Sequence, residues 1–345
     1  MRKTAVVVCP GRGTYNKSEL GYLGRYHDDK TDFIAMLDGY RAEQDQTPIS
    51  VLDGAERYSV ATYSRGDNAS PLIFGCAYAD FLSIDHEAIE VVAVTGNSMG
   101  WYIALACVGS LSAANGVHVV NTMGALMQES LIGGQTVYPL VDEEWHEIPG
   151  KRSEILALVE QIGNRAGCSV FVSIELGGML VLAGNEAGLE ALEGALPRVD
   201  DRFPMRLANH AAFHTPLQQP IAEKGRALLS AGLLSQPRIP LIDGRGNVWY
   251  PQATDLSALW RYTLDHQVVR PYDFTRAVQA SVKEFAPDCL IVLGPGNTLG
   301  GAVAQSLIAC SWEGLGSKGD FTDRQEVDPI LISMGLDAQR KLVTG

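Results

Sequence analysis

A serine set between glycines, Gly96-Asn97-Ser98-Met99-Gly100, is the residue of this chain best placed for nucleophilic chemistry. It follows a run rich in β-branched residues, 89–95, and precedes a mostly apolar stretch, 99–109, so the pattern predicts a strand, a tight turn and a buried helix. A sharp strand-to-helix bend forces the serine into a strained conformation, and small residues on either side relieve the crowding. The hydroxyl then points into a crevice at a helix N-terminus, where unpaired N–H groups and the helix dipole favour developing negative charge. An ordinary N-cap serine is the alternative role for this position. A serine hydroxyl needs a base to attack a thioester or ester at neutral pH. His214, in Ala211-Ala212-Phe213-His214-Thr215-Pro216-Leu217, is the candidate, and His210 lies four residues before it. Residue types alone leave the choice between the two open, since either can be a satisfied structural histidine. The pair is not expected to hold zinc, because Ala211 stands where a His-Glu-x-x-His site needs its glutamate. No metal is expected.

The elements that must position these groups read as an α/β fold. Runs at 4–9, 89–95 and 289–293 each read as buried strands ending in a glycine turn, which predicts a parallel sheet with its site at the strand carboxyl ends. Between 135 and 207 the pattern changes to strand near 136–141, helix 151–166, strands 169–175 and 179–183, helix 186–196 and strand near 203–207. That β-α-β-β-α-β order, with Gly177-Gly178 as a hairpin turn, predicts a ferredoxin-like α+β subdomain inserted into a hydrolase-like parallel-sheet core. The core is then 1–134 together with 208–345, and the insert is 135–207. The tail after Ser311, rich in charge and glycine, reads as helical near 328–343.

Composition narrows the function. With 345 residues and 46 % apolar content the chain can bury a large core. A net charge of −13 argues against nucleic-acid binding. Arg202, Arg206, Arg261 and Arg270 could form a local patch for an acidic partner, although solvated surface is the ordinary state of such residues. The six cysteines, at 9, 76, 107, 168, 289 and 310, include no CxxC pair, and no secretory signal is apparent, so free thiols in the cytoplasm are expected. No apolar run approaches the ~20 residues of a membrane span, and no membrane partner is expected. Gly11-Arg12-Gly13-Thr14-Tyr15-Asn16-Lys17-Ser18 lacks the glycine a phosphate loop needs directly before its lysine. Asp243-Gly244-Arg245-Gly246-Asn247 reads as a turn, and Cys107 as an inert core thiol. No dinucleotide fingerprint follows a strand.

Taken together, the motifs resemble those of the malonyl-CoA:acyl-carrier-protein transacylases and the acyltransferase domains of polyketide synthases. Five segments carry the resemblance, in the family's order, over roughly nine-tenths of the chain. They are Pro10-Gly11-Arg12-Gly13, Gly96-Asn97-Ser98-Met99-Gly100, Met123-Gly124-Ala125-Leu126-Met127-Gln128, Ala212-Phe213-His214-Thr215-Pro216-Leu217 and Gly294-Pro295-Gly296. The resemblance implies a ping-pong reaction. Ser98 attacks an acyl-CoA thioester while His214, rather than His210, takes its proton. The acyl group rests on Ser98 and then passes to the phosphopantetheine thiol of an acyl carrier protein. Backbone N–H groups of Met99 and Arg12 would hold the oxyanion, where losing one donor typically costs ~3 kcal/mol. The backbone carbonyl of Gln267 would orient the histidine. No cofactor is implied beyond the acyl-CoA substrate and the partner's phosphopantetheine.

Departures from the family bear on the acyl group. Met123 stands where the family has an arginine that pairs with the free carboxylate of malonyl. A thioether cannot make that charge-assisted fork, and a buried unpaired carboxylate costs about 3–5 kcal/mol. A preference for acyl groups without a free carboxylate follows, unless Arg12 or Arg65 moves in. Asn97 replaces the usual His, Arg12 the usual Gln, and Ser70 and Trp101 stand where Gln and Glu are common. Glu175, expected on the insert's cleft-facing side, would further disfavour anions. Met123, Asn97, Ser70, Trp101 and Glu175 are candidates for shaping the acyl pocket, Trp101 either near its entrance or packed in the core. Two other functions compete with transfer: hydrolysis of acyl thioesters on carrier proteins, and a non-catalytic role in a synthase complex.

Overall fold

Apolar, β-branched runs with no polar alternation can pair only as strands covered on both faces, and this chain has several. In a computed structural model describing residues 2–345, β1 (Lys3–Cys9) lies near the middle of a six-stranded sheet. Its neighbours are β2 (Ile89–Gly96) and β10 (Cys289–Val292), and β11 (Leu331–Ser333) and the short β7 (Leu241–Ile242) extend the sheet on either side. These five strands run parallel, and β8 (Val248–Trp249) closes one edge antiparallel. Helices cover the faces. Those used below are α1 (Gly66–Leu82), α2 (Gly100–Cys107) and α3 (Ala113–Ser130).

Residues 134–206 build a second sheet. β3 (Gly134–Pro139), α4 (Lys151–Gly163), β4 (Val170–Leu176), β5 (Met179–Gly184), α5 (Glu186–Ala195) and β6 (Met205–Arg206) follow one another. The sheet order is β6-β3-β5-β4, all antiparallel, with Gly177-Gly178 turning the β4–β5 hairpin. A fifth strand arrives from outside this stretch: β9 (Tyr272–Asp273) pairs parallel to β4. The chain then enters α6 (Phe274–Phe285), and α7 (Gly300–Ile308) follows β10. The tail differs from the helix expected over 328–343. Ile330-Leu331-Ile332 is apolar enough to enter the main sheet as β11, and helix is confined to Lys318–Val327 and Asp337–Arg340.

A buried ionic cluster pins the helices to the sheet. Asp80 of α1, fully buried, accepts from Tyr22 Oη at 2.8 Å, Gly294 N at 2.7 Å and Arg340 Nη1 at 2.5 Å, with His27 Nε2 2.8 Å away. It thereby fixes the loop after β10 to the helix that also carries Ser70. Breaking a buried pair from one side strands the other charge. Asp80→Ala is therefore expected to lower stability by about 3–5 kcal/mol, read as a shift in the denaturant midpoint.

Candidate active site

The bend at Ser98 is as tight as its flanking glycines imply. Ser98 has φ +56°, a left-handed conformation rare for a non-glycine residue. A Cβ on Gly100 would lie 2.3 Å from the Cys9 carbonyl oxygen, so only glycine lets α2 begin this close to β1. The loop after β1 presses equally close, since a Cβ on Gly11 would meet the Asn97 carbonyl at 2.7 Å. This approach sets the loop that carries the Arg12 N–H against the bend that carries the Met99 N–H. Among the described residues neither N–H donates to another protein group.

His214 meets this bend from the other sheet, in the stretch that returns from β6. Its Nε2 is 2.7 Å from Ser98 Oγ. Its Nδ1 is 2.6 Å from the backbone oxygen of Gln267. A carbonyl can only accept, so Nδ1 carries the proton and Nε2 is bare and accepts from the serine hydroxyl. That carbonyl is free for a structural reason. In a helix it would accept the N–H of residue 271, but residue 271 is proline and has none. Gln267 also holds the nucleophile's backbone, its Nε2 donating to Ser98 O at 3.0 Å, and Tyr272 Oη donates to Gly96 O at 2.5 Å. Burial pushes the His214 imidazole down to about 4, against the opposing pull of the Gln267 carbonyl. The arrangement can move a proton from Ser98 to His214, and the N–H groups of Met99 and Arg12 are left without protein acceptors.

His210 is elsewhere. Its Nδ1 lies 3.0 Å from Gln135 Oε1, and burial, then the charge of Arg12, lower it to about 3.

Two spaces open from Ser98. A narrow cavity is walled by Ser70, Tyr102, Val120, Met123, Met127 and Phe213, with Arg12 also lining it. A larger cleft runs between the two sheets, lined by apolar residues such as Val137, Ile174, Leu176 and Leu299, with Arg202 also on its wall. Met123 and Ser70 thus lie in the smaller cavity. Asn97 lines the cleft instead, and its buried Oδ1 has no partner. Arg65 stays outside both spaces, paired with Asp67 at 2.7 Å.

Two expected pocket residues are not there. Trp101 is fully buried in the core; its indole donates to Thr263 Oγ1 at 3.0 Å and meets Tyr262 edge-on. Glu175 faces away from the cleft. Strand alternation turns Ile174 and Leu176 toward the cleft and Glu175 toward α4, where both its oxygens accept from Arg152 at 2.8 Å. Tyr102, Phe213 and Val120 were not singled out by sequence, because their apolar settings look like any core position.

No family model matches the chain. Over 342 residues it is 27 % identical to a type I phenolphthiocerol polyketide synthase of Mycobacterium marinum, covering 96 % of this chain and 15 % of that one. Over 254 residues it is 24 % identical to the malonyl CoA-acyl carrier protein transacylase of Bacillus subtilis, covering 73 % and 75 %. The chain therefore spans less than a fifth of the polyketide synthases it matches. In structure it resembles the malonyl-CoA:acyl carrier protein transacylase of Xanthomonas oryzae, with a TM-score of 0.74 at 19 % identity over the whole of both chains. That likeness gives the fold, and the sequence matches bear out the resemblance to transacylases and polyketide synthases.

A histidine must be neutral to take the serine proton, so the depressed value sets the acid limit. Labelling of Ser98 by a fluorophosphonate should hold its rate as pH falls from 8 through the ordinary histidine range near 6.5 and fail only near pH 4. A midpoint near 6.5 would contradict this.

Proposed function

We propose that the chain is an acyltransferase that moves an acyl group from acyl-CoA, through an ester on Ser98, to the phosphopantetheine thiol of an acyl carrier protein. The observation that carries this reading is the Ser98 Oγ to His214 Nε2 contact of 2.7 Å, with Nδ1 held by a carbonyl. Ser98 Oγ attacks the thioester carbonyl as its proton passes to Nε2. The oxyanion faces the N–H groups of Arg12 and Met99. Collapse breaks the C–S bond, and the leaving thiolate takes the proton from His214. The carrier thiol then gives its proton to His214 and attacks the ester, and Ser98 recovers a proton as it leaves. A carbonyl steadies the imidazolium less than a carboxylate would, so the two oxyanion donors carry more of the barrier reduction. We assign the reaction to the cytoplasm, where the six free thiols stay reduced.

A thioester carbonyl at Ser98 has two arms and two spaces to enter. The long pantetheine arm suits the open cleft, and the acyl group suits the smaller cavity beside Met123. We infer a preference for acyl groups without a free carboxylate. Met123 offers no charge, and the one arginine at the cavity edge has no fork to give. Both hydrogens of Arg12 Nη2 go to backbone carbonyls, Ser64 O and Asn209 O, and its Nε is sealed from any partner.

Acetyl- and malonyl-CoA offered together should load Ser98 with acetyl faster by about 100-fold or more, read as adduct mass, and Met123→Arg should narrow or invert that ratio. Holo carrier protein should then discharge the adduct as a new thioester. Faster malonyl loading would overturn the preference. Release of free acid with no transfer would make the enzyme a hydrolase, and no adduct at all would leave only a non-catalytic role.

A further inference from the structure

Three separate stretches of chain meet at the Arg12 side chain. The first is its own loop after β1. The second is the turn just before α1, where Ser64 O accepts from Nη2 at 2.5 Å. The third is the stretch leading into His214, where Asn209 O accepts from the same nitrogen at 3.1 Å and the guanidinium lies 5.4 Å over the Phe213 ring. Asn209 Nδ2 closes the triangle by donating to Ser64 Oγ at 2.6 Å.

The stretch so held has no regular secondary structure. Asn209 and His214 have φ of +55° and +57°, a left-handed conformation uncommon for non-glycine residues though less so for Asn and His. Besides the bonds of His210 and His214 already described, Ala212 N donates to Ile132 O at 2.8 Å, and Ser173 Oγ to Phe213 O at 2.8 Å. Neither of those fixes it to the loop after β1.

The guanidinium is half-buried, and burial lowers it to about 10 against the pull of nearby Asp67, which also pairs with Arg65. Its planar head reaches two carbonyls from a single nitrogen.

We propose that the Arg12 side chain is a positioning residue that clamps the His214-bearing stretch to the loop after β1, whose backbone N–H is assigned above to the oxyanion, so that proton acceptor and oxyanion donor are set as one unit. The inference rests on Ser98 and His214 being the reacting pair. It goes beyond the role of the Arg12 backbone, because the side chain acts through His214. A misplacement of about 1 Å in such a pair can cost about 100-fold in rate.

The test compares Arg12→Ala, Arg12→Gln and Arg12→Lys with the unaltered protein in three readouts: fluorophosphonate labelling of Ser98, acetyl-CoA kinetics and the denaturant midpoint. Labelling rate and kcat should fall about 30- to 100-fold in Arg12→Ala and Arg12→Gln, while KM stays within about threefold. Arg12→Lys should lie between, and a methylguanidinium salt below denaturing concentration should restore part of the Arg12→Ala rate. Unchanged labelling in both variants would overturn the proposal. So would a loss seen only in KM, or only for dicarboxylic acyl groups, which would make Arg12 an anion receptor. A loss that tracks a fallen midpoint without rescue would reduce Arg12 to a folding residue. If Arg12→Ala does not fold, Arg12→Gln, which keeps a hydrogen-bonding side chain, carries the comparison. Labelling needs only an activated serine, so an unaltered protein that labels but transfers no acyl group would defeat the functional reading and leave this one intact.

Discussion

The line of hydrogen bonds from the Gln267 carbonyl through the His214 imidazole to the Ser98 hydroxyl is what the rest of the molecule is arranged to preserve. It has no carboxylate at its end. A carbonyl cannot titrate and cannot offer a full charge, so the imidazole is fixed in one tautomer by geometry alone. The helix ends at Val269, which leaves the Gln267 oxygen among its unpaired last-turn carbonyls, and Pro271 has no N–H to offer it. Burial then keeps the imidazole neutral, as a base must be before the reaction starts.

Two sheets share the work of bringing these groups together. The parallel sheet delivers Ser98 and the loop of Arg12 from the carboxyl ends of adjacent strands, β2 and β1. The second sheet leads through β6 into the His214 stretch, and β9, five residues beyond Gln267, pairs with its β4. The base and its orienting carbonyl are thus both set where the sheets join, and the cleft between them is the route by which a long arm can reach Ser98.

Local chemistry was legible in the sequence, and tertiary packing was not. Ser98 could be found because a strand, a glycine-flanked serine and an apolar helix are contiguous, and the clash a Cβ on Gly100 would make shows why the glycine is there. The order of elements in 134–206 also followed from the change of period along the chain, with ends differing by no more than three residues. His214 was separable from His210 only through the family resemblance, because both are buried and both are hydrogen-bonded. Trp101 takes the core, one of the two settings its motif left open, while Glu175 was misjudged because position next to a motif says nothing of which face a side chain takes. Glu175 sits one residue from two cleft residues and still points the other way. The clamp at Arg12 was beyond reach, since it joins residues 12, 64 and 209.

The most direct test of the account is the protonation state of His214 itself. Nitrogen-15 NMR of histidine-labelled protein, with His214→Gln to assign the signal, should show a neutral ring protonated on Nδ1 and bare at Nε2 at neutral pH. A ring protonated on Nε2, or on both nitrogens, would mean that the imidazole cannot accept from Ser98, and the account would be wrong at its centre.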